Sequence, residues 1–198
     1  MERKKPGQIV VLNGAPRSGK SSIARVMQET FDGPWMDLGV DVFVREITPP
    51  RYQPGVGLRP GADLPELRAL VPALYDAMFG SIAAHSRAGL DVVAGVGLYD
   101  PAVIARCRAI LEGLPVLWVG VRCPLDVIMQ RRNAGQQGRL GEYATGTPQD
   151  PIPAPVQRWQ DEVHLHLRYD LEIDTSRSTP EECASRIRGA LSGLAHMI

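Results

Sequence analysis

Apolar positions along the chain follow two alternating rhythms, and their alternation predicts the architecture. Short unbroken runs, Ile9-Val10-Val11-Leu12 and residues 115–121, have the length and composition of strands buried on both faces. Residues 35–40, 90–93 and 171–174 are shorter strand candidates. Between them the spacing turns helical: Ile23, Val26, Met27 and Thr30; then Leu67, Leu70, Val71, Leu74, Met78 and Ile82; then Val103, Ile104, Cys107 and Leu111. Residues 125–132 and 157–168 read as two further helices. Strands alternating with helices predict an α/β fold, a mainly five-stranded parallel sheet covered on both faces in three layers.

Local punctuation sharpens these boundaries. Asp32-Gly33-Pro34 stops the first helix, Asp63 with Glu66 has the form of a capping box, and Pro72 either kinks the third helical stretch or marks its start. Asp100-Pro101 opens another helix, and Thr179-Pro180-Glu181-Glu182 opens the last with a proline at its first position and a capping acid. Residues 48–62, carrying Pro49, Pro50, Pro54 and Pro60, are expected to be an irregular loop that shapes a substrate site. Residues 133–155, rich in Gly, Gln and Pro, are expected to form a mobile lid. The length of 198 residues suits one domain spanning residues 1–198.

The most informative chemistry follows the first strand. Residues 14–21 read GAPRSGKS, the complete GxxxxGK[ST] pattern between a predicted strand and a predicted helix. Such a loop cradles nucleotide phosphates with backbone N–H groups. Gly14, Ala15, Pro16, Arg17, Ser18, Gly19, Lys20, Ser21 and the adjoining Ser22 are therefore candidate nucleotide-binding residues. Lys20 is expected to reach the outer phosphates, and Ser21 to hold Mg²⁺ through its hydroxyl.

Charge and cysteine content narrow the alternatives. Lys plus Arg number 22 and Asp plus Glu number 22, so no general attraction to nucleic acid or to an acidic membrane is expected. The basic start Arg3-Lys4-Lys5 precedes only the short apolar run already used as a strand. Neither a signal peptide nor a membrane span is expected, and a cytoplasmic location is. Cys107, Cys123 and Cys183 lack any CxxC pairing and read as buried reduced thiols. His164 and His166, two apart in a helical context, do not share a face and are not expected to bind a metal.

These landmarks together resemble the chloramphenicol phosphotransferases, small P-loop kinases of the shikimate-kinase and nucleotide-kinase type. The resemblance rests on IVVLNGAPRSGKS, the block LGVD ending at Asp41, the run LWVGVRC ending at Cys123, and VHLHLRYDLEIDTS ending at Ser176. It implies a P-loop kinase fold with a mobile lid and an ATP-dependent phosphotransferase acting with Mg²⁺ on a hydroxyl of a small molecule, for example an antibiotic such as chloramphenicol. It also implies that Asp41, expected just past the second strand, is the general base. Arg132 and Arg139 match lid arginines that close over the phosphates, Arg139 in a catalytic role. For Arg131, a phosphate role and a solvated helix-face charge stay equally open.

Two departures from the family pattern stand out. Gln136 replaces an expected lid arginine, and Val93-Ala94-Gly95-Val96-Gly97 lacks the acid expected at the carboxyl end of the third strand. Phe43, Tyr52, Val96 and Tyr99 are candidate apolar walls for the acceptor, and each is also an ordinary core candidate. A metabolic kinase for a nucleoside, sugar or acid, and a nucleotide-binding protein with impaired catalysis, are the alternative readings.

Overall fold

The computed structural model describes residues 5–49, 65–134 and 145–195, with backbone only for 65–69 and 194–195. Strand β1 (Ile9–Asn13) is at the centre of a five-stranded sheet in the order β2-β3-β1-β4-β5, every neighbouring pair parallel. Its residues are wholly buried because both faces are covered, as the unbroken apolar run predicts. Helix α1 (Lys20–Thr30) follows the glycine-rich loop, and β2 (Trp35–Asp37) forms one sheet edge. A short helical turn α2 (Val40–Val42) leads into a wider turn at Phe43–Ile47, closed where Thr48 N donates to Phe43 O, five residues back, at 3.0 Å.

Helix α3 (Pro65–Arg87) runs continuously through Pro72 and leads to β3 (Asp91–Val96), α4 (Pro101–Ile110), β4 (Val116–Arg122) and α5 (Leu125–Asn133). Helix α6 (Ala154–Glu162), β5 (Leu171–Asp174) and α7 (Pro180–Ala195) follow among the described residues. Two of the predicted starts are present as hydrogen bonds. Asp100 caps α4 by accepting from Ala102 N and Val103 N, and Thr179 and Glu182 exchange bonds at α7.

One sheet face packs Val11, Val92, Ala94 and Val96 against Tyr75, Phe79 and Ile82 of α3 and Val103, Ile104 and Cys107 of α4. The other packs Val10, Leu12, Val93 and Val119 against Ile23 and Met27 of α1 and Cys183 and Ile187 of α7. Each fully buried aliphatic side chain stabilises this sandwich by about 1.5–3 kcal/mol. All three cysteines are buried and free.

Several expected boundaries move. Strand β2 ends at Asp37 rather than residue 40, because Asp37 Oδ1 accepts Gly39 N–H at 3.0 Å and turns the chain out of the ladder. Strand β3 extends to Val96, held by the register Leu12↔Gly95 and Asn13↔Val96. The buried side of α3 is centred on Tyr75, Phe79 and Ile82, while Leu70 is 40% exposed. Helix α6 starts and ends earlier than residues 157–168, so His164 and His166 lie beyond it.

Candidate active site

The phosphate loop is built by close approach. A side chain at Gly14 would stand 2.5 Å from Val121 O and 2.8 Å from Ser18 Oγ, so the loop's entry accepts only glycine. At its exit Gly19 has φ 100°, a conformation glycine adopts at no steric cost, and it begins α1. Ser22 N and Ile23 N donate to Gly19 O at 3.1 and 3.2 Å, closing the first turn of α1, and the helix dipole adds positive potential at this N-terminus. Lys20 Nζ lies across the cradle and donates to Gly14 O at 2.7 Å and Ala15 O at 2.8 Å. Ser21 and Ser22 are exposed on the first turn, whereas Ser18 is buried; Pro16 and Arg17 are half-buried.

Asp41 occupies a different local setting from the one expected. It is the second residue of α2 and stands four positions after the end of β2. Gly39 holds the N-cap position without a side-chain bond, so Asp41 does not cap the helix. The turn carrying Asp41 is nevertheless tied to the phosphate loop through β3. A side chain on Gly39 would stand 2.9 Å from Gly95 N, and one on Gly95 would stand 3.7 Å from Lys20 Cβ. Sheet alternation places Asp37 on the face that α1 covers, since Trp35 packs there and Met36 packs opposite. Burial raises the Asp37 carboxyl above the usual carboxylate range; the Gly39 N–H opposes that shift and the Asp41 charge adds to it.

The remaining candidates divide. Val96 is 1% exposed within the core beneath α3 and α4, so it offers no wall to an acceptor: alternation along a strand longer than expected turns it inward. Phe43 is half-buried against the same core. Tyr99 is half-buried and meets Trp159 of α6 edge-on at 5.7 Å. Arg132, in the last turn of α5, is 5% exposed. Tyr52, Gln136 and Arg139 lie outside the described residues, as do most of residues 48–62 and the centre of 133–155.

Several residues carry roles that the sequence does not single out. Asn13, the polar end of an otherwise apolar strand, donates to Val163 O and Tyr169 Oη at 2.8 Å each and accepts from Leu98 N at 2.7 Å. It thereby pins the β3–α4 connection and the end of α6 to the strand that launches the phosphate loop. His164 Nδ1 pairs with Tyr169 Oη at 2.7 Å; burial, then the Arg122 charge, lowers its pKa to about 4. Among the described residues, no three His, Cys, Asp or Glu side chains group to hold a metal. No helix there is long and apolar enough to cross a membrane.

Comparison with known proteins agrees with this geometry. The family model of chloramphenicol phosphotransferase-like proteins matches residues 7–192. A Mycobacterium tuberculosis protein named "Putative O-phosphotransferase" is 23% identical over 195 residues, covering 91% of this chain and 80% of the relative. Among solved structures, a Janibacter sugar kinase superposes with TM-score 0.64 at 21% identity, covering 94% of this chain and 95% of its own. The Mycobacterium tuberculosis APS kinase, in complex with AMPPNP and APS, superposes with TM-score 0.62 at 19% identity over 94% and 98%. These two likenesses concern the fold, a P-loop kinase sheet with its helices. From the family match over almost the whole length, and from a phosphate loop built as described, the chain belongs to the chloramphenicol phosphotransferase-like family of P-loop small-molecule phosphotransferases.

Proposed function

We propose that this protein transfers the γ-phosphoryl group of ATP to a hydroxyl of a small molecule, with Asp41 as the general base. The observation that carries this reading is the contact series from the Asp41 turn through Gly39 and Gly95 to Lys20, which joins a carboxylate-bearing turn to the phosphate cradle. Ligands of open α/β sheets bind at the carboxyl ends of the strands, where these residues stand. Asp41 takes the acceptor's proton as its oxygen bonds to the γ-phosphorus, and the bond to the ADP oxygen breaks. A base so placed supplies about 10²–10⁴-fold in rate.

Lys20 and the α1 N-terminus bind and orient the phosphates and offset their charge. The exposed Ser21 hydroxyl on the first turn of α1 is a hard oxygen donor suited to Mg²⁺, an ion that takes few protein ligands and keeps several waters. When bound with the nucleotide, that ion would neutralise charge spreading over the transferred group. Arg132 and Arg139 are proposed to complete the charge from the lid side. Phe43, Tyr52 and Tyr99 are proposed to face an aromatic or apolar acceptor such as chloramphenicol.

The test is incubation of the protein and Mg-ATP with a panel containing chloramphenicol, nucleosides, sugars and small hydroxy acids, followed by mass spectrometry. One added phosphate on chloramphenicol is the expected result. Transfer only to a nucleoside, sugar or hydroxy acid assigns a metabolic acceptor, and tight ATP binding without transfer assigns a binding protein.

A further inference from the structure

Residues outside the sequence motif hold the shape of the phosphate loop from behind. Arg17 adopts φ 72°, which costs a residue with a side chain about 1–2 kcal/mol and persists only where surrounding contacts hold it. Those contacts come from the last turn of α5 and from the residue after β5. Arg131 Nη1 donates to Arg17 O at 3.3 Å, and Arg17 Nη2 donates back to Arg131 O at 2.6 Å. Arg131 also donates to Thr175 Oγ1 at 3.2 Å, to Thr175 O at 2.8 Å and to Cys123 Sγ at 3.4 Å. Thr175 Oγ1 donates to Ser18 O at 2.7 Å, and a side chain on Gly19 would meet Thr175 Cγ2 at 3.2 Å.

The direction of these bonds matters more than their number. In a trans peptide the C=O and the following N–H point oppositely. With Ser18 O drawn back onto Thr175, the Gly19 N–H is aimed forward into the cradle. With Arg17 O drawn onto Arg131, the Ser18 N–H is turned onto Ala15 O at 3.1 Å and closes the loop. We propose that Arg131 and Thr175 are positioning residues of the phosphate loop, setting the orientation of its amides for nucleotide binding from the outer side. This rests on the reading that residues 14–22 take nucleotide phosphate. It assigns Arg131 neither of the two roles the sequence left open: its guanidinium is spent on protein acceptors. Because α5 leads directly into the segment expected to be the lid, the brace also joins the root of that segment to the cradle.

The experiment compares Thr175→Val, Thr175→Ser and Arg131→Met with the parent by amide hydrogen exchange of the loop and by ATP titration. Thr175→Val and Arg131→Met are expected to speed exchange at Ser18, whose N–H is bonded to Ala15 O in the closed loop, and to weaken ATP binding, each by about tenfold, the scale of a lost buried hydrogen bond. Thr175→Ser, which keeps the hydroxyl, is expected to restore both. Parent-like loop exchange and affinity in Thr175→Val and Arg131→Met overturn the proposal. So does acceleration that is equal in β1 and α7, which marks general destabilisation. If the parent itself binds no ATP, the functional reading fails, while the exchange arm still decides whether the brace sets the loop.

Discussion

Gly39 and Gly95 meet backbone to backbone: a side chain on Gly39 would stand 2.9 Å from Gly95 N and 3.0 Å from Gly95 O. Through this contact the turn bearing Asp41 rests on β3, and β3 in turn lies against Lys20. The spacing between the Asp41 turn and the phosphate cradle therefore runs through two residues that lack side chains.

Gly39→Ala should disturb that spacing and little else. The added carbon runs into backbone atoms of Gly95, which cannot swing aside as a flexible side chain would, so the α2 turn must move. A displacement of about 1 Å costs on the order of 10²-fold in rate when it shifts a catalytic group. Steady-state kinetics are expected to show kcat falling by about 10–100-fold, with ATP affinity, measured by titration, close to that of the parent. Parent-like turnover would remove the Asp41 turn from the mechanism.

Gly95 has room for a side chain's first carbon. An added Cβ would meet Lys20 Cβ at 3.7 Å and Cε at 4.0 Å, ordinary contact distances, so Gly95→Asp would direct its carboxylate beside Lys20. A carboxylate there supplies the acid that the family pattern leads one to expect. The magnesium concentration giving half-maximal ATP turnover should fall, with a rise in kcat. Unchanged turnover and magnesium dependence in Gly95→Asp would show that this position does not limit the site.

Asp37 carries a stability cost that depends on pH. Its carboxyl is raised above its unfolded value by burial, so the folded state holds its proton over a range where the unfolded state has released it. Stability is therefore lost as pH rises from about 3.8 through the folded-state value, and the loss persists at neutral pH. Asp37→Asn keeps an acceptor for Gly39 N–H and removes the charge. Thermal melts should show the Asp37→Asn variant more stable than the parent at pH 7, with the difference vanishing near about pH 3.5. A variant less stable than the parent at pH 7 would contradict this assignment of the shift.

The strands, the phosphate loop and the starts of α4 and α7 are legible in the sequence because local chemistry determines them. Asp100 and Thr179 bond to amides within three residues of themselves, and β1 is uniformly apolar because the sheet buries both faces. The end of β2 is not legible, because Leu38 and Val40 continue the apolar run while the Asp37 bond to Gly39 N–H breaks it. Val96 resembles a pocket wall only if β3 stops at residue 93, and the strand continues three residues further into the core. The roles of Arg131 and Thr175, 44 positions apart, and the pairing of Asn13 with Tyr169, 156 apart, depend on how strands and helices meet; no local pattern encodes them.

The proposed division of labour has Asp41 acting in transfer while the phosphate loop binds nucleotide. The most direct measurement compares parent, Asp41→Asn and Lys20→Ala for ATP affinity and for phosphate transfer to the same acceptor. Asp41→Asn should bind ATP like the parent and transfer about 10²–10⁴-fold more slowly, whereas Lys20→Ala should lose nucleotide-dependent transfer altogether. Transfer by Asp41→Asn at the parental rate would contradict this division.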